Sequence, residues 1–61
     1  MKKYKLYDAY DDELELLVKC DTMEDVRKAC HKRDLGTGYE WFPLLYKLEG
    51  GVYKIVESWS Y

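Results

Sequence analysis

The sequence contains little cysteine, which argues against a small scaffold held together by several disulfides. Its 61 residues include two cysteines, Cys20 and Cys30, and these allow at most one bridge. Small secreted domains usually carry four or more cysteines. No export signal follows the N-terminal Met-Lys-Lys, so we expect a cytoplasmic protein whose thiols are reduced and buried. A single disulfide between the two cysteines is the alternative.

The chain also lacks a strong excess of either charge and any long apolar run. Ten Lys and Arg residues are balanced by twelve Asp and Glu residues, for a net charge of −2. This balance argues against a dedicated nucleic-acid protein, and no apolar run is long enough to span a membrane. Hydrophobic residues make up 48% and charged residues 36%, which is typical of a folding chain. We expect one small domain over residues 1–61.

Few residue groups have the spacing that catalysis or metal binding requires. His31 follows Cys30 directly, but adjacent helical side chains point about 100° apart and do not activate one another. Together with Cys20, these residues lack the short paired spacing of zinc ligands. The Gly-Thr-Gly at residues 36–38 follows a predicted helix, whereas a phosphate loop precedes one. We predict no catalytic residue, no metal site, no cofactor and no small-molecule substrate, and therefore no enzyme.

Acidic residues crowd the first predicted turn: Asp8, Asp11, Asp12, Glu13 and Glu15. On a hairpin tip these carboxylates are solvated and lack the buried partner that shifts a pKa. A solubilising turn is therefore the preferred interpretation. The alternatives are a weak cation contact and a surface through which the protein inhibits a host enzyme.

An aromatic-rich segment near the N terminus and an alternating apolar segment after it predict a β-hairpin. Two registers fit the sequence. A two-residue turn places Tyr7 opposite Leu16 and sets two acidic side chains against each other. A three-residue turn pairs Leu6 with Val18 and pulls Asp8 inward. The pattern does not choose between these registers.

The next segment has the pattern of an amphipathic helix. Thr22 is placed to cap its start, and two acidic residues follow in the first turn. One narrow apolar stripe shares a face: Met23, Val26, Ala29 and Cys30. We predict that Leu35 packs back onto the domain and that Gly36 takes the left-handed conformation that ends the helix.

Two further strands, over Glu40 to Glu49 and Val52 to Trp59, are predicted around a tight turn at Gly50 and Gly51. This turn defines a register with two faces. One face carries the pairs Leu48–Tyr53, Tyr46–Ile55, Leu44–Glu57 and Phe42–Trp59. The other face carries the pairs Lys47–Lys54, Leu45–Val56 and Trp41–Ser60.

The element order predicts an α+β domain, β-β-α-β-β, with a four-stranded antiparallel sheet in the order 2-1-3-4 and one helix on one face. Four strands are about 19 Å wide, and one helix is about 10 Å across. The helix therefore leaves one sheet face uncovered. We expect that face to carry Trp41, Leu45, Val56 and Leu17, and to act as a protein-interaction surface, through which the chain forms a homodimer.

The alternative function is nucleic-acid binding through the basic helix residues Arg27, Lys28, Lys32 and Arg33. These side chains suit phosphate contacts, and tyrosines and tryptophans on a sheet suit stacking on unpaired bases. The negative overall charge and the absence of ribonucleoprotein motifs weigh against it.

Overall fold

The computed structural model describes residues 1–10, 12–38 and 40–61. Its elements in chain order are β1 (Tyr4–Tyr10), β2 (Glu13–Cys20), α1 (Met23–Thr37), β3 (Pro43–Glu49) and β4 (Val52–Ile55). The strands form one sheet in the order β2-β1-β3-β4, and every neighbouring pair is antiparallel. The predicted fold class, element order and strand order are confirmed.

The first hairpin combines both predicted registers. Near the turn Tyr7 pairs with Leu16, whereas further along the strand Leu6 pairs with Val18. The register changes between Leu6 and Tyr7 because β2 contains one extra residue, Leu17, at a β-bulge. Because of this bulge, the hairpin contains the Leu6–Val18 pair of one predicted register and the Tyr7–Leu16 pair of the other.

The helix begins as predicted and ends later than predicted. The Thr22 hydroxyl accepts a hydrogen bond from the Asp25 backbone N–H at 3.2 Å. The left-handed residue that ends the helix is Gly38, with φ 69°, so the prediction for Gly36 was wrong. Leu35 is 89% exposed and does not pack back. It lies nine residues after Val26, which places it about 180° away from the buried face of the helix.

The second hairpin has the predicted register but is shorter than predicted. Gly50 and Gly51 both have positive φ, 58° and 82°, as a two-residue hairpin turn requires. The pairs Leu48–Tyr53, Tyr46–Ile55 and Lys47–Lys54 form. Strand β4 ends at Ile55 rather than at residue 59, and β3 begins at Pro43 rather than at residue 40. The predicted ladder pairs Leu44–Glu57 and Phe42–Trp59 therefore do not form among the described residues.

The helix covers the sheet face that sequence reasoning assigned to a partner. Leu45 is 0% exposed and Trp41 is 7% exposed; both belong to the core with Val26 and Cys30 of α1. Leu17 and Val56 pack against the same core. Placing these four residues on the uncovered face was therefore wrong. Alternation along a strand shows which side chains share a face, but it does not say which face the helix will cover.

Candidate interaction surfaces

The sheet face opposite the helix is uncovered and largely apolar. The burial pattern of β1 alternates, with Tyr4, Leu6 and Asp8 buried on the helix side. The intervening side chains therefore point to the other side, and the ladder register extends that face across the sheet. We call this surface the open face: Tyr7, Ala9, Leu14, Leu16, Leu44, Tyr46, Leu48, Tyr53 and Ile55.

Several open-face side chains are substantially exposed to solvent. Leu14 is 54% exposed, Leu16 is 43% exposed and Ile55 is 50% exposed. These residues lie on β2 and β4, the two edge strands, so apolar exposure extends across the full width of the sheet. Single exposed apolar residues are ordinary on a protein surface, whereas a contiguous group indicates an interaction site.

The aromatic side chains of the open face are held in place by contacts with one another and with lysine. The rings of Tyr7 and Tyr46 meet edge to face with centroids 5.6 Å apart. The Lys5 ammonium lies 4.0 Å from the centroid of the Tyr53 ring. The Tyr53 hydroxyl also donates to the backbone carbonyl of Lys2 at 2.5 Å. These contacts preorganise the face, which lowers the entropic cost of binding a partner.

Charge changes sign along the strand direction of the open face. Lys5 and Lys19 lie opposite each other at one end. At the other end, the turn residue Asp12 lines a shallow depression of about 400 Å³ together with open-face residues. A basic end and an acidic end therefore flank the apolar centre.

Asp8 belongs to the core rather than to a solvated acidic tip. It is 1% exposed, and its Oδ2 accepts from the Nη2 of Arg33 at 2.8 Å and from the Nε at 3.2 Å. The same guanidinium donates to the two carboxylate oxygens of Glu15 at 3.2 and 3.3 Å. The other Asp8 oxygen accepts from the Phe42 backbone N–H at 3.4 Å. The solvated-tip interpretation was therefore wrong for Asp8, and Asp11 lies outside the described residues.

Three of the four basic residues proposed for nucleic-acid binding, Lys28, Lys32 and Arg33, line adjoining depressions beside the helix, and two of these three are already ion-paired. Arg33 turns inward to Asp8 and Glu15. Lys28 forms an ion pair with Glu24 at 3.4 Å, and both side chains are exposed. Arg27 precedes Lys28 on the helix, so its side chain points about 100° away.

Residues after β4 cross to the helix side and form an aromatic cluster that sequence reasoning missed. The Trp41 Nε1–H donates to Asp34 Oδ1 at 2.5 Å, and the Tyr61 hydroxyl donates to the same oxygen at 3.0 Å. The Tyr61 ring lies 5.4 Å from the ring of His31. Burial and the neighbouring Asp34 carboxylate raise the pKa of the Tyr61 hydroxyl. The ring contact with Tyr61 gives His31 a structural role.

Both cysteines are free and buried, which agrees with the expectation of reduced thiols. Burial, with a further contribution from the Asp34 carboxylate, raises the pKa of Cys30 to about 11. Burial also raises the pKa of Cys20. Thiol reagents attack the thiolate, so neither side chain is expected to be reactive at neutral pH.

We predict that an aromatic disulfide reagent labels neither cysteine in the native protein at pH 8 and labels both in denaturant. With a pKa of about 11, Cys30 is about one-thousandth thiolate at that pH. The measurement is the absorbance of the released thiol over time, with a small free thiol as the control. Labelling of the native protein as fast as the control would contradict the assignment of both thiols to the core.

The part of the chain that the structure describes contains neither a metal-binding cluster nor a membrane-spanning helix. Among those residues no group of three or more His, Cys, Asp or Glu side chains has a metal-binding arrangement. No described helix has the length and apolar character needed to cross a membrane. No protein-family model, curated protein or solved structure matches the chain at a significant level.

Proposed function

We propose that this domain is a non-enzymatic interaction module that associates with a second copy of itself through the open face. The observation that carries the proposal is the contiguous apolar surface on the side of the sheet without a helix. The two free thiols suit a reducing compartment such as the cytoplasm.

The small size of the domain supports an additional contact. The folded chain exposes 4455 Å², close to the about 4,200 Å² of a typical monomer of 7.3 kDa. A domain this small has limited core burial to offset its conformational entropy. Covering the open face would remove apolar surface from water and stabilise the folded state.

The dimensions of the face indicate a weak dimer. Three strands of seven or eight residues and one of four form a face of at most roughly 19 by 23 Å, which is at most about 440 Å² per copy. Two copies then bury at most about 900 Å², which is below the usual range for stable complexes and typical of transient ones. We therefore expect a dimer whose population depends on protein concentration.

The charge pattern selects one arrangement of the two copies. A two-fold axis that lies in the interface and runs perpendicular to the strands makes the strands of the two copies antiparallel. The basic end of each copy then meets the acidic end of its partner. A two-fold axis parallel to the strands would instead bring the basic ends of the two copies together. Like charges in contact oppose that arrangement. The first arrangement also allows the aligned packing that sheets prefer.

Replacing Leu16 with glutamate is expected to abolish dimer formation, because it places a charge within a desolvated apolar contact. The measurement is sedimentation equilibrium of the full chain from micromolar to millimolar concentration. Leu35→Glu is the matched control, since Leu35 is 89% exposed on the outer side of the helix. This control should dimerise like the wild type.

Ile55→Glu provides a second test on the opposite edge strand and should also give a monomer. Circular dichroism establishes that each variant is folded before its mass is measured. A wild type that remains monomeric at millimolar concentration would overturn the proposal. A dimer that survives both substitutions while Leu35→Glu disrupts it would overturn it as well.

A further inference from the structure

A second surface lies between the edge strand β2 and the helix. Two adjoining depressions, about 310 and 440 Å³ in volume, share the residues Ala29 and Lys32. Leu17, Val18 and Ala29 form the apolar part of their lining. We call this continuous depression the edge groove. It lies on the helix side of the sheet and borders the open face along the β2 edge, where Lys19 belongs to both surfaces.

The bulge in β2 shapes this groove. Successive side chains of a regular strand point to opposite faces, yet Leu17 and Val18 both pack against the core that lies beneath the helix. The extra residue at the bulge allows this departure from alternation. It places two apolar side chains in succession along one wall of the groove.

Basic residues outnumber acidic ones at the rim of the edge groove. The rim carries Lys2, Lys19, Lys28, Lys32 and Arg33, with Asp21 and Asp25. Lys2 pairs with Asp21, Lys28 with Glu24, and Arg33 with Asp8 and Glu15, so these three cations are already compensated. Lys19 and Lys32 take part in no such pair among the described residues, and two lysines of this kind beside a strand edge favour an anionic partner.

The two rim carboxylates are already compensated. Asp21 accepts from the Lys2 ammonium at 3.3 Å and from the Lys3 backbone N–H at 3.0 Å; the backbone bond, followed by that from Lys2, lowers the pKa of Asp21. Asp25 lies in the first turn of the helix, where the helix dipole favours a negative charge.

An edge strand forms one wall of the groove. Only β1 pairs with β2, so alternate backbone N–H and C=O groups of β2 point away from the sheet. An extended peptide can add a strand at such an edge, where main-chain hydrogen bonds supply affinity and the flanking side chains supply specificity.

We propose that the edge groove binds an extended acidic peptide segment of another protein, which pairs with β2 and directs its carboxylates at Lys32. The stems of the peptide side chains then cover Ala29 and Leu17. Nucleic acid fits this surface less well, because no aromatic side chain among the described residues lines it for base stacking. A backbone of phosphates would also leave the free strand edge unpaired.

The test is a titration of the isotope-labelled full chain with an acetylated peptide of alternating valine and glutamate, as long as the 8-residue strand β2. Backbone amide shifts should concentrate in β2 and α1. Lys32→Glu should weaken binding about tenfold, since it replaces an attraction with a repulsion. Arg27→Glu makes the same charge change on the same helix outside the groove and should weaken binding less than about threefold.

Two further probes separate strand addition from simple charge attraction. A peptide of the same sequence with alternate backbone nitrogens methylated cannot complete the ladder and should bind at least about tenfold more weakly. Equal binding of the two peptides would overturn the proposal, as would equal effects of the two charge reversals. A single-stranded oligonucleotide that binds more tightly than the peptide, with steep salt dependence, would assign the groove to nucleic acid instead.

This proposal does not depend on the dimer. Ile55→Glu lies on β4, at the far edge of the sheet from the groove. That variant should bind the peptide with wild-type affinity even though it should not dimerise. Loss of peptide binding in this variant, with the fold intact, would contradict the assignment of the peptide to β2.

Discussion

Replacing Arg33 with alanine is expected to unfold most of the protein at neutral pH. The Asp8 side chain is 2% exposed, and this variant removes the cationic partner that Arg33 provides. Removing one member of a buried ion pair costs about 3 to 5 kcal/mol, because the remaining charge is buried without compensation. A chain of 61 residues has a total stability of about 3 to 9 kcal/mol. The loss is therefore comparable with the whole free energy of unfolding.

The measurement is urea unfolding followed by circular dichroism and tryptophan fluorescence. Arg27→Ala is the matched control and should change the free energy of unfolding by less than about 0.5 kcal/mol. Glu15→Gln should cost at most about 1 kcal/mol, because the Glu15 side chain is 49% exposed. Equal stability of Arg33→Ala and Arg27→Ala would show that the Asp8 pair does not support the fold.

A double variant distinguishes loss of the ion pair from loss of packing. Asp8→Leu combined with Arg33→Met removes both charges and keeps apolar volume at both positions. It should recover most of the stability that Arg33→Ala loses, because a buried pair can often be replaced by well-packed apolar residues. Failure of this recovery would indicate that other hydrogen bonds of the pair, including the one from the Phe42 amide, carry the stability.

Replacing Trp41 with alanine is the second substitution with a large expected effect. Trp41 is 7% exposed and belongs to the core beside the helix. Truncating a buried tryptophan to alanine costs about 3 to 5 kcal/mol. The change also removes the indole donor to Asp34, which links the end of the helix to the segment before β3. We expect the variant to be largely unfolded.

Phe42 is the matched control, because it is the next aromatic residue in the chain and is 60% exposed. Phe42→Ala should cost less than about 1 kcal/mol, since its backbone carbonyl can still accept from the Ala9 amide. The two variants are compared by thermal and urea unfolding. Similar losses for both would contradict the burial of Trp41, and a stable Trp41→Ala would do so directly.

This contrast also decides which substitutions can test self-association. A charge at Trp41 would disrupt the core, so a loss of dimer in such a variant would only report unfolding. Leu16 and Ile55 are exposed on the open face, so a charge there tests the contact itself.

Much of this fold could be predicted from the sequence alone, because it depends on local interactions. Thr22 and the first-turn acids define the start of the helix because unpaired backbone N–H groups need acceptors. Gly50 and Gly51 define the second hairpin because a two-residue turn requires positive φ at both positions. The element order then restricted the sheet to few arrangements. All these features depend on residues close together in the chain.

Only the tertiary structure decided which sheet face the helix covers. Both rows of side chains on β1 are rich in aromatic and aliphatic residues, so the alternation is equally compatible with either choice. The choice depends on contacts between distant segments, such as the pairing of Asp8 with Arg33, which are 25 residues apart. A carboxylate is buried only where its cationic partner reaches it. Contacts of this kind accompany the burial of Trp41 and Leu45 in the core, and Tyr7, Leu16 and Ile55 lie on the open face.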